Sequence, residues 1–297
     1  MIRAYAPHED YVAPARRRPA LWRLLPASAL IAALYLAPIL GLSAWLTGQF
    51  GQPIADAIVQ RMLTGETPGG MLMLLWSFLG LALGPVAAVR LLHRRTAGTL
   101  IGPSLERAMR DFARVLLPIL ALEILLLPVA LLGLEVRPGL GLLAFLGYLP
   151  FALPGILIQT GAEELVFRGY LQQQLAARFR SPLIWIGIPS ALFAWGHYLP
   201  EDFGPNAGLV ALWAAVFGIL AADLTARTGN LGAALGFHAA NNISALLIVG
   251  LAGNLDGLAL WAVVFDPADP DAARPALLLD FAAMAIAWLV ARLSLRV

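Results

Sequence analysis

Residues 140–169 read LGLLAFLGYLPFALPGILIQTGAEELVFRG. From Leu140 to Thr160 the stretch is almost wholly apolar and long enough to cross a bilayer as a helix, and it then presents two adjacent carboxylates, Glu163 and Glu164. A lone carboxylate at bilayer depth costs about 2.5–3.5 kcal/mol on insertion scales, so an adjacent pair implies partners that meet it. Such partners are scarce in this chain. Only two histidines fall inside apolar runs, His197 and His238, and Asn242 follows His238 at helical spacing. The chain reads as a membrane bundle arranged around these few polar groups.

Composition supports that reading. The 297 residues are 60% hydrophobic and 13% charged, with a mean hydropathy of +0.78. A soluble domain carries roughly 25% charge, and here the apolar excess is distributed as long runs. The expected fold class is all-α, a polytopic membrane helical bundle. Strand-type alternation in segments of about ten residues is absent, which argues against an outer-membrane barrel. Cysteine is absent, which excludes disulfides, thiolate catalysis and Cys-ligated metal. All 20 basic residues are arginine, and a net charge of +2 gives no reason to expect a nucleic-acid partner.

About eight spans of roughly 20 apolar residues are expected, at 24–46, 70–92, 115–134, 140–163, 182–198, 208–226, 230–252 and 275–293. Residues 1–23, with Arg16, Arg17, Arg18 and Arg23, read as a cytoplasmic tail before a signal anchor, and 24–297 as one membrane-embedded domain. With the N-terminus inside, 17 of the 20 arginines lie on inner segments and three, Arg61, Arg137 and Arg274, lie outside. This asymmetry predicts that both termini are cytoplasmic. A short interfacial helix is expected at Ile54–Leu63, and a basic inner loop at 93–114 whose arginines meet anionic headgroups. The outer loop 253–274 carries Asp256, Asp266, Asp269 and Asp271, but Pro267 and Pro270 interrupt it, and it reads as a solvated turn rather than a calcium loop.

Three short motifs carry the chemistry. In Glu163-Glu164-x-x-x-Arg168, the i, i+4 spacing lets Arg168 neutralise Glu164 and leaves Glu163 as the free carboxylate. Phe193-x-x-x-His197 and His238-x-x-x-Asn242 each share one helix face, and Gly232 and Gly236 offer a small-residue face for close helix approach. Taken singly, the first also fits an ion-pair cluster at a span end, the second an interfacial histidine, and the third a polar helix contact. Together they converge in depth. Arg180-Ser181-Pro182 reads as a turn, and Glu163 and His197 lie equally far on either side of it, so two helical arms would place them at one level unless Pro189 kinks the second. Asp223 and Arg227 form a further i, i+4 pair, read as structural. Glu123 stands alone in the third span with no evident role.

In this order and spacing the three motifs resemble the CPBP (ABI) family of intramembrane proteases, which contains the type II CaaX prenyl endopeptidases and bacteriocin-processing and self-immunity proteins. The surrounding Glu163–Leu171 and Ser190–Phe193 segments fit as well, and the resemblance covers about 143–250. It implies an endopeptidase acting on a membrane-associated peptide or protein, in which Glu163 and His197 activate water, His238 and Asn242 form the oxyanion hole, and Glu164 and Arg168 support them. The family is often labelled metalloprotease. A zinc ion would take Glu163, His197 and His238 as ligands, but there is no His-Glu-x-x-His here, and the metal-free mechanism, with no cofactor, is preferred. The expected location is a bacterial inner (plasma) membrane. The competing readings are a non-catalytic membrane scaffold or immunity protein and, with no internal repeat to support it, a transporter.

Overall fold

A computed structural model describes residues 3–297, and among them the chain is a helical membrane bundle. Thirteen α-helices follow one another: α1 Ala6–Val12, α2 Leu24–Phe50, α3 Gln52–Thr64, α4 Pro68–Leu91, α5 Leu105–Ala130, α6 Leu142–Glu164, α7 Gln173–Arg178, α8 Pro182–Trp185, α9 Gly187–Gly196, α10 Pro200–Phe203, α11 Ala207–Thr228, α12 Gly232–Ile243 and α13 Pro270–Leu295. Six helical stretches are long and apolar enough to cross a membrane: Leu21–Phe50, Pro68–Leu91, Ala97–Val129, Leu142–Arg178, Pro200–Thr228 and Pro270–Leu295. The fifth and seventh expected spans are shorter apolar helices, Pro182–Gly196 and Gly232–Ile248. Bulky apolar side chains face outward along the long helices, Leu143 at 86% exposure among them, as a lipid-facing surface requires. The chain is an integral membrane protein.

Local chemistry accounts for the boundaries that differ from expectation. The segment read as the loop 93–114 turns helical at Leu105, because the Ser104 side chain caps the helix by accepting from Arg107 N and Glu106 complements the first turn. Arg107, Arg110 and Arg114 therefore lie on α5. The Glu163–Glu164 helix does not stop at the pair. It continues as a π segment, Leu165–Gln172, into α7. The following arm breaks at Ile186 between α8 and α9, where the ring of Pro189 would oppose the carbonyl of residue 185 in a continuous helix. The interfacial helix expected at Ile54–Leu63 is α3.

At the end of the bundle opposite the basic segments, three short strands form a sheet in the order β1-β3-β2: Val136–Pro138, Trp261–Val263 and Val249–Leu251, with β1–β3 antiparallel and β2–β3 parallel. Arg137 pairs with Asp256 at 3.0 Å, Asp266 closes a turn and Asp269 caps α13, so the aspartates of 253–274 serve turns and caps.

α12 is held against α5 by a ladder of small residues. A Cβ on Gly232 would stand 1.9 Å from Ala108 O, and one on Gly236 2.6 Å from Phe112 O. Two turns further on, Ser244 donates to Glu123 Oε2. This gives Glu123 a place: it anchors the far end of the same ladder. Residues 3–23 pack against the basic end of the bundle rather than leaving it. Tyr5 donates to Asp223 Oδ1, Tyr11 to Leu100 O, and His8 stacks on Trp185. Asp223 also takes Arg227 and Trp288, joining α11, α13 and the N-terminal segment.

Candidate active site

α6 delivers the two carboxylates in opposite roles. Glu164, wholly buried, accepts from Arg168 Nη1 at 2.8 Å, and Arg168 is itself buried and donates to Gly218 O on α11 at 3.3 Å. The i, i+4 spacing survives the transition into the π segment, and Phe193 lies against the guanidinium, its centroid 5.0 Å away. π segments are rare and recur at functional sites; a second one, Ser244–Ile248, follows α12 directly. Glu163 retains partial exposure, with 13% of its side chain accessible.

His238 lies between the carboxylates. Its Nδ1 is 2.8 Å from Glu164 Oε1, and its Nε2 is 3.4 Å from Glu163 Oε2. With Glu164 ionised against Arg168, Nδ1 carries the proton and donates to Glu164, which turns Nε2 toward Glu163. Phe217 packs edge-on against the imidazole at 4.9 Å. Glu164 Oε2 is buried and has no partner, so the centre of the cluster keeps an open acceptor.

His197, at the end of α9, is reached through an aromatic contact. Its Nδ1 donates to Phe193 O at 2.8 Å, leaving Nε2 as an acceptor, and its ring lies 4.4 Å from Phe193, which also faces His238 at 6.2 Å. Asn242 donates Nδ2 to Gln159 Oε1 at 2.7 Å and accepts from Asn241. Gln159 lies one turn before Glu163 on α6 and ties the asparagine to the carboxylate helix. Sequence reasoning passed over Gln159; its i, i+4 relation to Glu163 was the available signal.

Arg168, Glu164 and His238 thus form one hydrogen-bonded chain whose free Nε2 lies 3.4 Å from Glu163, His197 flanks it across Phe193, and Asn242 reaches the same helix through Gln159. The histidine nitrogen beside Glu163 is Nε2 of His238. Among the described residues no three His, Cys, Asp or Glu side chains are grouped so as to hold a metal ion.

Residues 145–244 match the family model described as Type II CAAX prenyl endopeptidase Rce1-like. This stretch is an Rce1-like domain. No curated protein and no solved structure matches the chain. The Rce1-like domain begins on α6 and ends at Ser244, so it contains all six candidate residues as well as Gln159 and Phe193. α5, with Glu123, and the N-terminal segment pack around the Rce1-like domain from outside it.

Proposed function

We propose that this protein is an intramembrane endopeptidase that hydrolyses a peptide bond of a membrane-associated protein or peptide with carboxylate-activated water. The observation that carries the reading is the chain Arg168–Glu164–His238–Glu163, in which one carboxylate is neutralised and buried and the other is left partly open beside a histidine nitrogen. Glu163 takes a proton from water as the water oxygen bonds to the peptide carbonyl carbon, and His238 Nε2 beside it shares that proton. Glu164, fixed by Arg168, holds the imidazole tautomer through Nδ1, as a carboxylate does for a catalytic histidine elsewhere.

The tetrahedral intermediate places negative charge on the former carbonyl oxygen. Asn242 keeps one N–H beyond the one given to Gln159, and that donor serves the oxyanion. His197, whose Nδ1 is held by Phe193 O and whose Nε2 is free, accepts from the water in this reading or, once protonated, donates. When the C–N bond breaks, the proton held by Glu163 and His238 passes to the leaving amine. The setting is a bacterial inner membrane with both termini cytoplasmic. The test is cleavage of a peptide library by purified protein in detergent: Glu163→Gln abolishes the cleavage seen with the unaltered chain, and cleavage retained by Glu163→Gln overturns the assignment.

A further inference from the structure

Arg95 and Arg168 are the buried arginines among the described residues. Arg168 is neutralised by Glu164. Arg95, only 8% exposed, has no carboxylate partner among the described residues. Its Nη1 donates to Gln173 Oε1 and, at 3.3 Å, to Thr99 Oγ1, both neutral, while Nε and Nη2 are shielded from solvent and have no acceptor. A guanidinium buried without counter-charge and with idle donors is a costly arrangement that an anion relieves.

The surroundings add positive charge. Arg18, Arg23 and Arg95 all bear on His93, whose Nδ1 donates to Arg18 O, and Arg94 lies close to Arg18. Arg94 adopts φ +52°, a left-handed conformation that a non-glycine residue holds at some expense. That turn leaves Arg94 exposed and sends Arg95 inward, with exposed Thr96 on its other side, so the guanidinium is one residue beneath the surface. Thr99, the acceptor of Arg95, also lines a cavity of about 460 Å³ with Tyr11, Thr96 and Gly98, so Thr99 stands between the guanidinium and that space. Asp10 is the one carboxylate that lines the cavity; it is exposed and makes no ion pair with Arg95.

We propose that Arg95, with Thr99, binds a phosphate group, supplied either by the headgroup of an anionic lipid or by free phosphate. The planar fork of Arg95 offers two idle donors to adjacent phosphate oxygens, the bidentate geometry for which arginine is suited. Occupancy of the site would also tie together residues 3–23, the 93–99 turn and α7, all of which meet at this end of the bundle.

The full chain in neutral detergent is titrated with inorganic phosphate, against sodium chloride at equal ionic strength, while thermal unfolding is followed. In parallel it is reconstituted with phosphatidylcholine alone or with added phosphatidic acid, and retained lipid is read by native mass spectrometry. A saturable rise in melting temperature with inorganic phosphate supports the site with a free-phosphate source; retention of one phosphatidic acid per chain supports it with a headgroup source. In the responding arm, Arg95→Gln weakens binding by on the order of tenfold or more, and the exposed control Arg107→Gln leaves it unchanged. If Arg95→Gln does not fold, Arg95→Lys decides, since it keeps the charge and loses the fork, and is expected to weaken binding. No saturable response in either arm, or undiminished binding by the Arg95 variant, overturns the proposal.

Discussion

Glu164 has no exposed surface, and the two groups on its Oε1, Arg168 and His238, are both residues that the sequence motifs single out. Removing Arg168 strands a buried carboxylate, so Arg168→Ala is expected to destabilise by about 3–5 kcal/mol and to abolish cleavage, whereas Arg168→Lys keeps the charge, loses the fork and retains partial activity. Thermal unfolding and cleavage measured on the same preparations check this; an unchanged Arg168→Ala contradicts the pairing role. Asn242→Ala is expected to lose about 10²–10³ in rate, the usual effect of deleting one oxyanion donor, with little change in melting temperature. Chelators are expected to leave activity intact; full inhibition restored by stoichiometric zinc would recast Glu163, His197 and His238 as ligands. The Glu164–Arg168 pair was legible because i, i+4 geometry is local. The Glu163–His238 contact was not, because it joins α6 to α12, far apart in sequence, and which helices pack together is a tertiary property.

At the scale of elements, α12 positions His238 and Asn242 by lying close on α5. Gly236→Ala would bring a Cβ within 2.6 Å of Phe112 O, so it is expected to destabilise by roughly 1–3 kcal/mol and to lower activity as His238 shifts. Gly208→Ala, which meets open space on α11, is expected to be neutral in the same unfolding assay. The sequence showed this small-residue face but not which helix it meets, since pairing is a tertiary property; it likewise left Glu123 without a role until Ser244 was brought beside it. The docked N-terminal segment was equally hidden, because its buried residues, His8, Tyr11, Val12 and Ala15, do not form an apolar run. Burial, and then Arg16, push His8 down from 6.5 to about 4, and burial, then Arg95, do the same for His93. Both folded-state values are depressed, so their contribution is present above pH 6.5 and is lost as pH falls toward 4. Hydrogen-exchange protection factors in Ala6–Val12, corrected for the intrinsic rate at each pH, are expected to be larger at pH 7 than near pH 5; equal protection at both would contradict this.

For the whole molecule, the class was legible from hydropathy and charge alone, because a bilayer sets span length and excludes charge with little dependence on detail. The two short helices were harder to place. Gly232–Ile248, which carries His238 and Asn242, is buried over most of its length, whereas Pro182–Gly196, which ends beside His197, keeps exposed side chains such as Leu183 and Trp195. The arginine asymmetry predicts that a reporter fused after Val297 behaves as cytoplasmic, and a periplasmic signal would reverse the topology. The central claim is hydrolysis by Glu163. Its most direct test places the purified chain and its Glu163→Gln variant, matched in melting temperature, side by side in one peptide-cleavage assay read by mass spectrometry. The account predicts new peptide termini with the unaltered chain and none with Glu163→Gln; equal cleavage by both, in preparations of equal purity, would contradict it.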